Sequence, residues 1–141
     1  MNEAAPFLPH EPPAIMLEAF ESWDSEQGPG LRGTVCLGDC GLRWMTARGL
    51  PCAFALEILG QLSAVLLRRS ESGESLSGGR LAMVDSFAPA TEWLPATAPL
   101  DLRLIYLGGS SAGYHKFDGE IRTGSGELLA EARFSVLAFT A

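Results

Sequence analysis

The stretch Gly49-Leu50-Pro51-Cys52-Ala53-Phe54-Ala55-Leu56-Glu57-Ile58-Leu59-Gly60-Gln61 seats one carboxylate in an otherwise apolar helix. From about Cys52 to Leu67 every position is apolar or small except Glu57, Gln61 and Ser63, which predicts a core helix buried on nearly all sides. A lone ionised carboxylate is costly there, so it must shift its pKa, find a partner or line a cavity. Gln61 follows one turn after Glu57, and the i, i+4 spacing puts both on one face beside the small Gly60 and Ala64. That face predicts a narrow polar slot in an apolar wall.

Pro51 suits the first turn of the helix, where its missing N–H costs nothing, and Gly49 permits a tight entry. The backbone N–H groups at such a start, near Pro51, Cys52 and Ala53, favour an oxygen that gains negative charge during a reaction. Glu57 also has a purely structural reading, as a capping group or as the partner of Arg43 or Arg48 in a dimer interface.

Working outward, the chain switches from helical to strand periodicity at Arg80. Leu100, Leu102, Leu104 and Tyr106 alternate with Asp101 and Arg103, and Leu128, Ala130, Ala132, Phe134, Val136 and Ala138 share one face of a later strand. Gly108-Gly109 and Gly124-Ser125-Gly126 mark turns, and Ser70 to Gly79 reads as a mobile connector. Before the helix, Glu21 to Leu37 reads as a hairpin turning through Asp24 and Gly28-Pro29-Gly30, with Leu31 to Leu37 as the return strand. One long apolar helix covered by antiparallel strands is an α+β arrangement, and 141 residues suit a single domain.

The formal net charge of −7 excludes nucleic acid as an expected partner, because phosphate binding needs a clustered basic face. Cys36, Cys40 and Cys52 make neither an even disulfide framework nor a complete zinc pattern, so reduced thiols and no metal or cofactor are expected. Met1 leads into polar and acidic residues with no basic n-region or apolar h-region, which points to the cytoplasm. The apolar run at 50–67 carries Glu57 and Gln61 centrally, and a central carboxylate costs ~3 kcal/mol on insertion scales, so no membrane span is expected.

These residues resemble a known family. Leu50-Pro51, Ala55-Leu56-Glu57 and Gln61 are similar to the central-helix signature of hotdog-fold 3-hydroxyacyl-[acyl-carrier-protein] dehydratases of the FabZ type. Phe7-Leu8-Pro9-His10-Glu11-Pro12-Pro13-Ala14 resembles that family's Leu-Pro-His opening, most of all in the dehydratase-like subunits of aryl polyene biosynthesis, and Arg80 to Val84 fits its next core strand. The resemblance implies a hotdog fold, a curved antiparallel sheet wrapped round one helix. It also implies a dimer, with itself or with another hotdog subunit, that acts on an acyl thioester carried by acyl carrier protein or CoA. On this reading Glu57 handles a proton, Gly49, Pro51, Cys52, Ala53 and Gln61 hold the substrate, and Arg43 and Arg48 dock the carrier.

One departure stands out. The family's catalytic histidine lies in a Gly-His-Phe-Pro motif fourteen residues before the glutamate, and that position is Arg43 here. The remaining sources of a base are His10, within the chain, and the histidine of a partner subunit. A hotdog thioesterase, with Glu57 activating water, or a non-catalytic acyl-binding subunit, is the alternative function.

Overall fold

The computed structural model describes residues 19–39, 45–69 and 76–140. The first hairpin pairs β1 (Ala19–Ser25) with β2 (Gly28–Val35), and its tip is Glu26-Gln27. The expected turn at Gly28-Pro29-Gly30 is therefore strand instead. Pro29 is tolerated because β2 meets its other neighbour only from Gly30 onward, so the missing N–H costs no ladder bond. Gly30 accommodates a close crossing, since a Cβ there would lie 2.5 Å from the Leu104 carbonyl and 3.0 Å from the Trp23 ring.

The chain then passes through a short 3-10 turn and the two-residue strand β3 (Leu50–Pro51). A second 3-10 turn, Cys52–Phe54, leads into the single helix, α1 (Ala55–Arg69). The remaining elements are β4 (Leu76–Pro89), β5 (Trp93–Leu94), β6 (Leu100–Gly109), β7 (Tyr114–Thr123) and β8 (Leu128–Thr140). Leu76 to Gly79, expected in a connector, already belong to β4.

Six strands form one antiparallel sheet in the order β1-β2-β6-β7-β8-β4, and β3 pairs separately with β5. The alternation seen in the sequence places Leu100, Leu102, Leu104, Phe117, Ile121, Ala130, Ala132 and Phe134 on the buried face. Phe117 stacks on Phe134 with centroids 5.7 Å apart, and Tyr106 meets Phe117 edge-on at 5.5 Å. Tyr114, by contrast, is exposed rather than packed.

Helix α1 lays Ile58, Leu59, Leu62 and Val65 into this face. Gly119 lets it come close, because a Cβ at that position would stand 3.0 Å from both Leu59 methyls. Strand β4 changes register against β8 three times, at Leu76/Gly78, Leu81/Met83 and Val84/Ser86. Such bulges bend a strand and increase its twist, which curves this side of the sheet around the helix. Among the described residues no helix is long and apolar enough to cross a membrane.

Candidate functional site

Helix α1 is not buried on all sides. One stripe, Ala53, Leu56, Glu57, Gly60, Gln61, Ala64, Leu67 and Arg68, repeats every three or four residues and lines a cavity of ≈ 530 Å³. The stripe runs fifteen residue steps from Ala53, in the 3-10 turn, to Arg68, about 22 Å at 1.5 Å per residue, so the cavity follows nearly the whole helix as a groove. Its opposite wall is made by Gly79, Arg80 and Leu81 of β4 with Val136 and Ala138 of β8.

Within this groove Glu57 is exposed and Gln61 is buried. The helix proper begins at Ala55, which places Glu57 in its first turn rather than mid-helix. There the helix dipole favours a carboxylate by roughly 0.3–1 kcal/mol, a structural reason for its presence that is independent of chemistry. Ser63, the other polar residue of the helix, is satisfied locally, its hydroxyl donating to the Gly60 carbonyl at 2.6 Å.

The helix entry is built by its neighbours. The Cys52 N–H donates to the Glu92 carbonyl at 2.9 Å, and the Ala55 N–H caps the Cys52 carbonyl. The Cys52 amide is thus committed and is not available as an oxyanion donor, a correction to the sequence expectation. The Cys52 thiol is buried 3.7 Å from the Leu129 carbonyl, and burial pushes its pKa up. Gly49 is also committed, its N–H donating to the Thr46 carbonyl and its Cα packed against the Leu94 carbonyl at φ 118°.

Of the residues expected to touch substrate, Glu57, Ala53 and Gln61 line the groove. Gly49, Pro51 and Cys52 do not; they shape the helix entry beneath it. Arg48 is exposed in the Thr46–Gly49 turn, away from the groove lining. His10 and Arg43 lie outside the described residues.

The described histidine, His115, sits on β7 with its Nδ1 2.9 Å from the Tyr106 hydroxyl, and it does not line the groove. Desolvation lowers the His115 pKa and raises that of Tyr106. The β4 and β8 wall was not foreseen as part of the site. Its only trace in the sequence is strand alternation, which shows a shared face but not that the face borders the helix stripe.

Among the described residues nothing covers the groove or the sheet edge beside it. Strand β4 ends the sheet and exposes Leu81 at 43 %, Met83 at 61 % and Val84 at 40 %. An apolar edge of this length is an open template for another strand.

No protein-family model and no curated protein matches the chain. Solved structures do. The dehydratase heterocomplex ApeI:P from Xenorhabdus doucetiae superposes with a TM-score of 0.81 at 20 % identity, covering 97 % of this chain and 91 % of that one. A putative thioesterase, yhdA, from Lactococcus lactis gives 0.63 at 12 % identity over 99 % and 98 %. A hypothetical thioesterase with coenzyme A from Streptococcus pneumoniae TIGR4 gives 0.57 at 12 % over 89 % of each chain. A six-stranded antiparallel sheet curved around one helix, shared over nearly the full length with these structures, makes this chain a hotdog-fold protein.

Proposed function

We propose that the chain is a 3-hydroxyacyl thioester dehydratase subunit that works with a second, histidine-bearing hotdog subunit. The observation that carries the proposal is the pairing of Glu57 with an open, largely apolar groove along the helix, about 22 Å from end to end, that no described histidine lines. Dehydration needs one group to take the C2 proton and another to protonate the departing C3 hydroxyl, leaving an enoyl thioester and water. Glu57 supplies one of these groups, and the partner's histidine supplies the other.

The groove suits an acyl chain: its walls are Leu56, Leu67, Leu81 and Val136, and its length accommodates an extended chain. Its open side and the apolar edge of β4 both call for a second chain, whose closure would desolvate Glu57. Gln61, which lines the groove one turn from Glu57, is the proposed orienting group for the thioester head. The Ala53 N–H, at the groove end of the helix entry, remains the oxyanion donor of choice. The thioester is carried by acyl carrier protein or CoA, and Arg43 and Arg48 are the proposed docking cations. The full-length superposition on a dehydratase heterocomplex supports this reading.

The test is an assay on a short 3-hydroxyacyl or crotonyl thioester, with this chain alone and with a histidine-bearing hotdog partner. Interconversion of hydroxyacyl and enoyl thioesters that requires both chains supports the proposal. Release of free thiol would instead establish hydrolysis, with Glu57 activating water.

A further inference from the structure

Gly60 stands in the interior of α1, on the stripe that lines the groove, with Glu57 one turn before it and Ala64 one turn after. Glycine is the least favourable residue in a helix interior apart from proline, so its presence there asks for a reason. Other glycines of this fold have one in packing. Gly30 passes the Leu104 carbonyl, Gly49 the Leu94 carbonyl and Gly119 the Leu59 methyls. Gly60 has no such neighbour. Its φ is not in the left-handed region, and a Cβ built on it meets nothing within 4 Å among the described residues beyond its own helix backbone. The Ser63 hydroxyl donates to the Gly60 carbonyl at 2.6 Å, but a residue of any type at position 60 offers that carbonyl. What a side chain there would fill is the groove itself.

The groove has a direction. The Cys52 thiol lies 3.7 Å from the Leu129 carbonyl, and Leu59 sits over Gly119, whose register partner on β8 is Ala132. From Cys52 to Leu59 the helical segment rises about 11 Å, and from Leu129 to Ala132 the strand rises about 10 Å, so α1 and β8 run side by side in the same sense. Val136 and Ala138 lie further along β8. With their register partners Leu81 and Gly79 on β4, they wall the groove beside the C-terminal half of the helix. Glu57, in the first turn, is at the other end. A ligand that starts at Glu57 and ends between these walls must cross the bare floor left by Gly60 and Ala64.

Along the helix axis Gly60 is about 4.5 Å past Glu57, Ala64 about 10 Å and Leu67 about 15 Å. An extended chain of single bonds advances about 1.2 Å per bond, a third of the extended span of one residue. An acyl chain whose C3 lies at Glu57 therefore reaches Gly60 near about C7, Ala64 near about C12 and Leu67 near about C15. A four-carbon acyl group stops short of the floor, and a twelve-carbon group lies across it.

We propose that Gly60 is a specificity-determining residue that selects long acyl chains, of roughly ten carbons or more, over short ones. By leaving the helix backbone bare one turn beyond Glu57, it opens the path from the carboxylate to the walled end of the groove. The fold forgoes helix stability at this position to keep the path clear. The assignment rests on the acyl-thioester reading of the groove and adds to it the length of the chain.

The test is the binding of butyryl-CoA and dodecanoyl-CoA to the full-length chain by titration calorimetry, for wild type, Gly60→Ala and Gly60→Leu, with a thermal melt of each. Both esters are saturated and carry no C3 hydroxyl, so the titration reads binding with no turnover. Wild type is expected to bind the dodecanoyl ester at least about tenfold more tightly than the butyryl ester. Gly60→Ala should lower that ratio at least about threefold, and Gly60→Leu should bring it to within about twofold of unity, because each added side chain stands in the path. The melting temperature of Gly60→Ala should meanwhile rise by about 3 °C, as helix propensity requires. The expected ratios in a protein that never dehydrates a thioester would support the proposal and remove the dehydratase chemistry alone. Equal affinities for the two esters in wild type would overturn the proposal, and so would a ratio unchanged in Gly60→Leu. A Gly60→Ala chain that melts below wild type would overturn it as well, by showing that the glycine is there for packing.

Discussion

Glu57 and Gln61 stand one turn apart on the same face of α1, yet Gln61 is 1 % exposed while Glu57 opens onto the groove. The buried amide forms the fixed end of the slot and the carboxylate the end that a substrate or a second chain can reach. Glu57→Gln preserves the shape of the side chain but removes its ability to shuttle a proton. The variant is expected to keep wild-type thermal stability to within about 1 kcal/mol and to lose roughly 10²–10⁴-fold in the dehydration rate of the proposed two-chain assembly. Unchanged turnover would remove Glu57 from the chemistry.

Met83 is the most exposed of the large apolar residues on the β4 edge. Met83→Lys leaves the single chain's core untouched, since the side chain contributes nothing to it. A charge on an edge strand opposes strand addition. Analytical ultracentrifugation should show association through β4 weakened at least about tenfold, or ~1.4 kcal/mol. Wild-type association in the variant would place the interface elsewhere.

Gly119 faces Leu59, and an added methyl would meet both Leu59 δ-carbons at 3.0 Å and the Leu104 δ-carbon at 3.3 Å. Gly119→Ala should therefore cost ~1–3 kcal/mol in urea unfolding by overpacking the helix–sheet contact. Adding Leu59→Val should recover part of that loss. A neutral Gly119→Ala would show that α1 rides higher on the sheet than described.

The fold was legible because its signals were local and periodic. The apolar run from Cys52 to Leu67 and the alternation around Leu102 and Phe134 each declare one buried face. The Gly28-Pro29-Gly30 triplet misled because turn chemistry was read without knowing where β6 pairing begins, which makes Pro29 harmless in a strand. The site was legible on the helix, where spacing alone aligns Glu57 with Gln61. It was not legible at Cys52, whose amide is taken by Glu92, forty residues later in the chain. Nor did any sequence pattern assign Leu81, Val136 and Ala138 to the opposite wall, because that depends on which strands end up beside the uncovered stripe.

His115 gives a pH signature distinct from that of the groove. Burial beside Tyr106 lowers its pKa below the unfolded value, so the folded state prefers the neutral ring. The unfolded chain then binds the proton more readily. Its share of stability is full above the unfolded pKa, about 6.5, and is lost as pH falls through the folded value. His115→Gln should flatten the stability profile between about pH 7 and pH 5 relative to wild type. An identical slope in the two proteins would contradict the assignment.

The central claim is that Glu57 acts with a base from another chain, since an arginine at position 43 stays protonated at any working pH. The most direct measurement is enoyl thioester hydration by wild type, His10→Ala and Glu57→Gln, each alone and each mixed with a histidine-bearing hotdog partner. The account predicts little activity in any chain alone, full activity when wild type or His10→Ala is mixed with the partner, and loss in the Glu57→Gln mixture. Robust activity of the wild-type chain alone, whether abolished in His10→Ala or surviving it, would contradict the account.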